Sequence, residues 1–253
     1  MFKYIKRIPE PPSIHLEYGI FVHALLEDIG NVIQDNGGKI PEQVSSFMSS
    51  IWNNRIKEMR MGMTPELIVE AKGIFKKFVT VSREKKHTNI LSNEKNFSYK
   101  VGEANVVGKI DQVLKLENNK IMVRDYKTNG LKNLRYLLED PSQLKMYAIA
   151  VGREFNKPMK DMEFSFTVLR DECKDYVYRF SDEEITEAED MIEGVFHDIK
   201  RSIAENDWEA NLSPLCPYCS YFDLCDEAKN NKRHSSKRKA LIKEGKVQPN
   251  TLV

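Results

Sequence analysis

Apolar residues recur at three- and four-residue spacing through the first third of the chain, in Tyr18 to Ile33, Val44 to Met59 and Leu67 to Val81. That is the period of one helix face, so three amphipathic helices are expected. Pro41, and Thr64 followed by Pro65, supply starts, because proline fits the first helical turn and threonine caps it. From Asn96 the pattern changes. Asn105 to Leu116 and Lys120 to Tyr126 are short β-branched runs separated by Glu117, Asn118 and Asn119, which predicts a hairpin. Asp140-Pro141-Ser142-Gln143 reads as a capping box, with Asp140 as the cap, opening a helix to about Phe155. Lys160 to Leu169 and Tyr176 to Phe180 alternate as a second pair of strands. Ser181 and Glu184 then form another capping box, at the head of a long acidic helix to about Glu205. The order predicts an α/β or α+β core with a C-terminal appendage. Its expected parts are a helical stretch (1–90), a hairpin-bearing core (91–210), a Cys-rich segment (211–228) and a basic tail (229–253).

Composition narrows the class only a little. With 253 residues, 41% hydrophobic, 12 Gly and 10 Pro, the chain is ordinary globular material, and disorder, collagen and coiled coil are excluded. The formal net charge of +1 favours neither nucleic acid nor an acidic partner, so the distribution of charge must carry that argument. Lys229 to Lys246 is strongly basic, with Glu244 as its lone acid. No run of 18 apolar residues occurs, and Met1 to Glu10 is too polar for a signal-peptide core, so a cytoplasmic protein without a membrane span is expected. Cys216, Cys219 and Cys225 crowd into ten residues while Cys173 stands apart. That is ligand spacing rather than a secreted disulfide framework.

The hairpin carries the chemistry. Its first strand contains Gly108-Lys109-Ile110-Asp111 and its second Asp125-Tyr126-Lys127-Thr128. Side chains alternate along a strand, so Asp125 and Lys127 share a face, and an antiparallel neighbour can bring Asp111 beside Asp125. Hard divalent cations such as Mg²⁺ take one or two carboxylates and keep sites for phosphate oxygens, and a nearby lysine can position a nucleophile. An isolated D-x-K would equally suit a charged, solvent-facing strand.

The company it keeps is more specific. Gly19-x-x-x-His23, Glu94-x-x-Phe97, Gly108-Lys109-Ile110-Asp111, Asp125-Tyr126-Lys127-Thr128 and Gln143-x-x-x-Tyr147 follow in that order. Together, over about residues 15 to 226, they resemble the RecB-type branch of the PD-(D/E)XK nuclease family. The resemblance implies a central mixed sheet flanked by helices and a Mg²⁺- or Mn²⁺-dependent DNA exonuclease. It implies His23, Asp111, Asp125 and the Tyr126 backbone carbonyl as metal ligands, with Asp111, Asp125, Lys127 and Glu94 as catalytic residues. Glu103, nearer the hairpin, competes with Glu94. Gln143 and Tyr147, one helical turn apart, are implied to contact DNA. The alternatives are a structure-specific endonuclease, an end-trimming subunit of a larger complex, and an inactive DNA-binding subunit.

Cys216-x₂-Cys219-x₅-Cys225 presents three soft thiolate donors, suited to zinc or an iron–sulfur cluster. The same triplet is similar to iron–sulfur members of the family, the CRISPR-associated adaptation nuclease and the AddB subunit, and so implies a [4Fe–4S] cluster. Those relatives complete it with a Cys ahead of the first-helix motif. No Cys precedes His23 here; Cys173 could serve as the fourth ligand only if the fold brings it across, and a metal-free segment packed through Tyr218, Tyr221 and Phe222 is the alternative. The basic tail, including Lys237 and Arg238, suits sequence-independent phosphate contact. No G-x-x-x-x-G-K-[ST] motor motif is present, so besides DNA the expectation is either a stand-alone nuclease or one that borrows its motor from a partner, a helicase or a recombination or annealing protein.

Overall fold

The computed structural model describes residues 1–11, 13–59, 62–84 and 89–247. The end of the expected tail, 248–253, lies outside the described residues. Two compact units are formed, one by residues 14–197 and one by residues 1–13 with those from 198 on.

Three helices open the larger unit: α1 (Ile14–Asp35), α2 (Val44–Glu58) and α3 (Pro65–Glu84). Tyr18, Phe21, Val22, Leu25, Leu26, Ile29 and Ile33 form the buried stripe of α1, as their spacing predicts. Ala71, Ile74, Phe75, Phe78 and Val79 of α3 close the same core. Five strands follow: β1 (Asn89–Val101), β2 (Ala104–Lys115), β3 (Ile121–Lys127), β4 (Met162–Val168) and β5 (Lys174–Tyr178), in that spatial order. Only β3 and β4 pair in parallel, so the sheet is mixed. A parallel step needs a crossover, supplied by α4 (Leu131–Glu139) and α5 (Ser142–Phe155). The long helix α6 (Asp182–Glu205) follows β5.

The β2–β3 hairpin forms where expected, with Asn119 in the left-handed region at φ 63° in its turn. The Ser181–Glu184 box is reciprocal: Ser181 N–H donates to Glu184 (2.9 Å) and Glu184 N–H to Ser181 Oγ (3.2 Å). The box expected at Asp140 is not made. Pro141 is the N-cap of α5 and Asp140 instead ends α4, while the Gln143 side chain turns into the sheet. Strand β1 and helix α4 extend beyond what periodicity announces.

In the smaller unit, two short 3₁₀ turns span Cys216–Tyr218 and Phe222–Leu224, followed by α7 (Asp226–Asn230) and α8 (Lys232–Lys243). Within the described part of the basic tail, Lys232–Lys243 is therefore a helix. Asn231 caps it, accepting from the His234 N–H. Arg238, expected on DNA, is buried at 3% exposure and donates to the carbonyls of Pro217 and Cys219. Lys237 stays exposed, with its ammonium over the Tyr218 ring.

Candidate active site

Asp111 on β2 and Asp125 on β3 lie in the register the hairpin predicts, one residue beyond the Gln112–Arg124 pair. Glu94 on β1 falls opposite Asp111, between the pairs Asn93–Gln112 and Lys95–Ile110. His23, one turn beyond Gly19 on α1, sets Nδ1 3.3 Å from Asp111 Oδ1. One ligand atom from each of His23, Glu94 and Asp111 falls within 4.8 Å of the others, and no other such group of three His, Cys, Asp or Glu occurs among the described residues. The site thus gathers three sheet strands and one helix. An open groove of about 730 Å³ runs over it, lined by His15, Gly19, His23, Arg55, Glu94 and Lys109 among others.

Glu94 has φ 49°, in the left-handed region that a non-glycine residue occupies at a cost of about 1–3 kcal/mol. Burial pushes its carboxyl upward in pKa, against the pull of Lys109, whose Nζ is 2.6 Å away. Glu103, the competing acid, sits in the turn between β1 and β2 and is not in the group.

Asp125 is buried at 4% exposure, which raises its pKa despite the attraction of Lys127. Its Oδ1 accepts from Gln143 Nε2 and from the Tyr147 hydroxyl, each at 2.9 Å. Its Oδ2, also buried, is paired with Lys127 Nζ at 2.6 Å. Lys127 in turn donates to Gln143 Oε1 at 2.8 Å and rests over the Phe166 ring. Gln143 therefore bridges the carboxylate and the ammonium, and Tyr147, itself buried, braces the same oxygen. Gln143 and Tyr147, the pair implied to contact DNA, thus both face the D-x-K residues.

Asp111 is held by the backbone, its Oδ2 accepting from Tyr126 N–H at 2.5 Å. The Tyr126 ring is buried, edge-on to His23 and Phe78. Burial opposes protonation of His23, yet Asp111, Asp125 and Glu94 hold its pKa above the ordinary histidine value. An excess of carboxylates together with an imidazole fits a hard divalent cation. The roles of Lys109 and Phe97 were not legible in the sequence. Only the β1–β2 register shows that Lys109 reaches Glu94 and that Phe97 covers Gly108.

Cys216 and Cys219 accept backbone N–H bonds at sulfur, from Ser213 at 3.2 Å and Tyr221 at 3.4 Å. Cys173 is buried in the core of the larger unit, its sulfur 3.8 Å from the Leu169 carbonyl.

Carboxylates and a lysine thus stand together on the central hairpin of a mixed sheet. The chain belongs to the PD-(D/E)XK nuclease superfamily, whose family model matches residues 1–226. It is similar to a crystal structure of a protein from Eubacterium rectale provisionally named an exonuclease, at 15% identity and TM-score 0.52, over 92% of this chain and 79% of that one. The crystal structure of SSO0001 aligns at TM-score 0.36 and 14% identity, over 81% of this chain and 84% of that one. No curated protein matches the sequence. No helix among the described residues is long and apolar enough to cross a membrane.

Proposed function

We propose that the protein is a RecB-like, metal-dependent DNA exonuclease. One observation carries the reading: His23, Glu94 and Asp111 converge within 4.8 Å, beside the Asp125–Lys127 pair, and His23 and Glu94 line an open groove. His23, Glu94, Asp111, Asp125 and the Tyr126 carbonyl would hold Mg²⁺ or Mn²⁺. Such an ion supplies Lewis acidity toward the scissile phosphate and lowers the pKa of water. Lys127, fixed by Gln143, orients the attacking water and keeps its own proton donors aimed at the reacting phosphate. Tyr147 and Gln143 position Asp125 and Lys127. The exposed cations of α8, Lys237 among them, add phosphate contacts without reading sequence.

The three cysteines of the smaller unit form a soft-metal site in this reading, with an iron–sulfur cluster preferred to zinc. The spacing Cys216-x₂-Cys219-x₅-Cys225 supports it, since it gathers three soft sulfur donors of the kind such metals select. A visible absorbance band with equimolar or greater iron marks the cluster, whereas zinc without colour rejects it.

The test is cleavage of end-labelled linear and covalently closed circular DNA with Mg²⁺, Mn²⁺ or EDTA, for wild type and Lys127→Ala. Metal-dependent loss of linear DNA alone, absent in the variant, is expected. Cutting of circles would replace the exonuclease with an endonuclease. Binding without cleavage in any metal would leave an inactive subunit.

A further inference from the structure

In a regular strand, successive side chains point to opposite faces of the sheet. Strand β1 breaks this rule at the site. Lys95 reaches α5, pairing with Glu154, so Glu94 belongs on the α1 face and Asn93 should return to the α5 face. Yet Asn93 also faces α1. Its Nδ2 donates to Asn31 (2.8 Å) and Gln34 (3.3 Å), while its Oδ1 accepts from Gln112 at 3.0 Å. Two consecutive residues thus reach one helix, and the left-handed φ of Glu94 is the bend that permits it.

Helix α1 makes room for this arrangement. A Cβ added at Gly30 would stand 2.6 Å from Asn93 Oδ1, so the side chain seats directly on the backbone of that helix. Glycine in a helix interior is unfavourable, and what it permits here is this close approach. Both the nitrogen and the oxygen of the Asn93 amide are bonded, and each bond ends on an element that carries another member of the site. Asn31 and Gln34 lie on the helix of His23, and Gln112 follows Asp111 on β2.

We infer that Asn93 is a positioning residue, locked between Gly30 of α1 and Gln112 of β2, that holds the strained backbone of Glu94 so its carboxylate completes the divalent-cation site. The inference rests on the metal-site reading proposed above. Placement of the Glu94 ligand then falls to an amide that is not itself a ligand.

The experiment measures Mn²⁺ affinity of the purified full chain by calorimetry, with the electron paramagnetic resonance signal of bound Mn²⁺ as a second readout. Wild type, Asn93→Ala, Gly30→Ala, Glu94→Ala, Asp111→Ala and the Asn93→Ala/Glu94→Ala double variant are compared, each first checked for cooperative melting without metal. Asn93→Ala is expected to weaken Mn²⁺ by about 10- to 100-fold, as losses of groups that orient ligands do. Gly30→Ala should act in the same direction, by displacing Asn93 while leaving its chemistry intact. In the Glu94→Ala background the Asn93 change should cost nothing further, because its effect passes through Glu94. Wild-type affinity in both Asn93→Ala and Gly30→Ala, or full additivity in the double variant, overturns the inference. Should Asn93→Ala fail to fold, Gly30→Ala alone decides by the same measure. Asp111→Ala binding as tightly as wild type would instead sink the metal site, which keeps the two failures separate.

Discussion

Asp125 and Asp111 sit in one site yet differ in how they are held. Asp125 is buried among Gln143, Tyr147 and Lys127, whereas Asp111 takes the Tyr126 N–H and faces His23. Replacing Asp125 would therefore strand the half-buried Lys127, and Asp111 is the cleaner probe. Asp111→Asn should lower cleavage by about 10³-fold or more, the scale of several kcal/mol of lost charge stabilisation, with an unchanged circular dichroism spectrum. Activity within about tenfold of wild type, or 1.4 kcal/mol on the same scale, would remove Asp111 from the site. The shifted groups also fix a pH dependence. His23, Glu94 and Asp125 all hold protons to higher pH than usual, and a cation binds only their deprotonated forms. Mn²⁺ affinity should therefore rise with pH through the carboxylate range and on past the ordinary histidine pKa, with protons released on binding. Calorimetry in buffers of different ionisation enthalpy measures that release, and a pH-independent affinity would contradict it.

Strand β2 shows how an element transmits packing to the site. Gly108 pairs with Phe97 across the β1–β2 ladder, and a Cβ there would come within 2.5 Å of the ring. Phe97 in turn packs edge-on against Tyr147, which bonds Asp125. Gly108→Ala should destabilise the fold by about 1–3 kcal/mol through overpacking, and lower cleavage by loosening Tyr147. Urea unfolding together with the linear-DNA assay checks both halves; unaltered stability would mean that Phe97 yields freely. The elements themselves differed in legibility. Helices α1 to α3 and the β2–β3 hairpin announced themselves because each buries one face at a constant period. Strand β1 did not, since its bulge near Leu91 and its left-handed Glu94 interrupt alternation at the point where the site is built. Gln143 likewise reads as the capping-box partner of Asp140 because its spacing fits, but Asp125 and Lys127 offer it stronger, charge-assisted partners.

For the whole molecule, the basic C-terminal helix is the feature whose meaning changed most. Arg238 and Leu241 are buried within their unit, so deletion beyond Lys229 would remove packing along with charge. Substitution of exposed residues is the sharper test. Lys237, Lys239 and Lys243 changed together to Gln should weaken DNA binding, and should flatten its logarithmic salt dependence by roughly 0.9 for each phosphate no longer neutralised. Fluorescence anisotropy at several salt concentrations measures the slope. An unchanged slope would make α8 a solvated structural helix.

The sequence by itself determined the periods of the main helices and the hairpin, the proximity of Asp111 to Asp125, and the order of motifs that points to a nuclease, because these are local or are fixed by pairing across one turn. Only the tertiary structure decided that Glu94, rather than Glu103, joins His23 and Asp111. It also decided that Gln143 and Tyr147 brace the D-x-K pair and that Arg238 is buried. Each of those outcomes depends on which distant backbone a side chain meets, through a strand register, a helix crossing or a single left-handed residue, and none of these leaves a repeating mark along the chain.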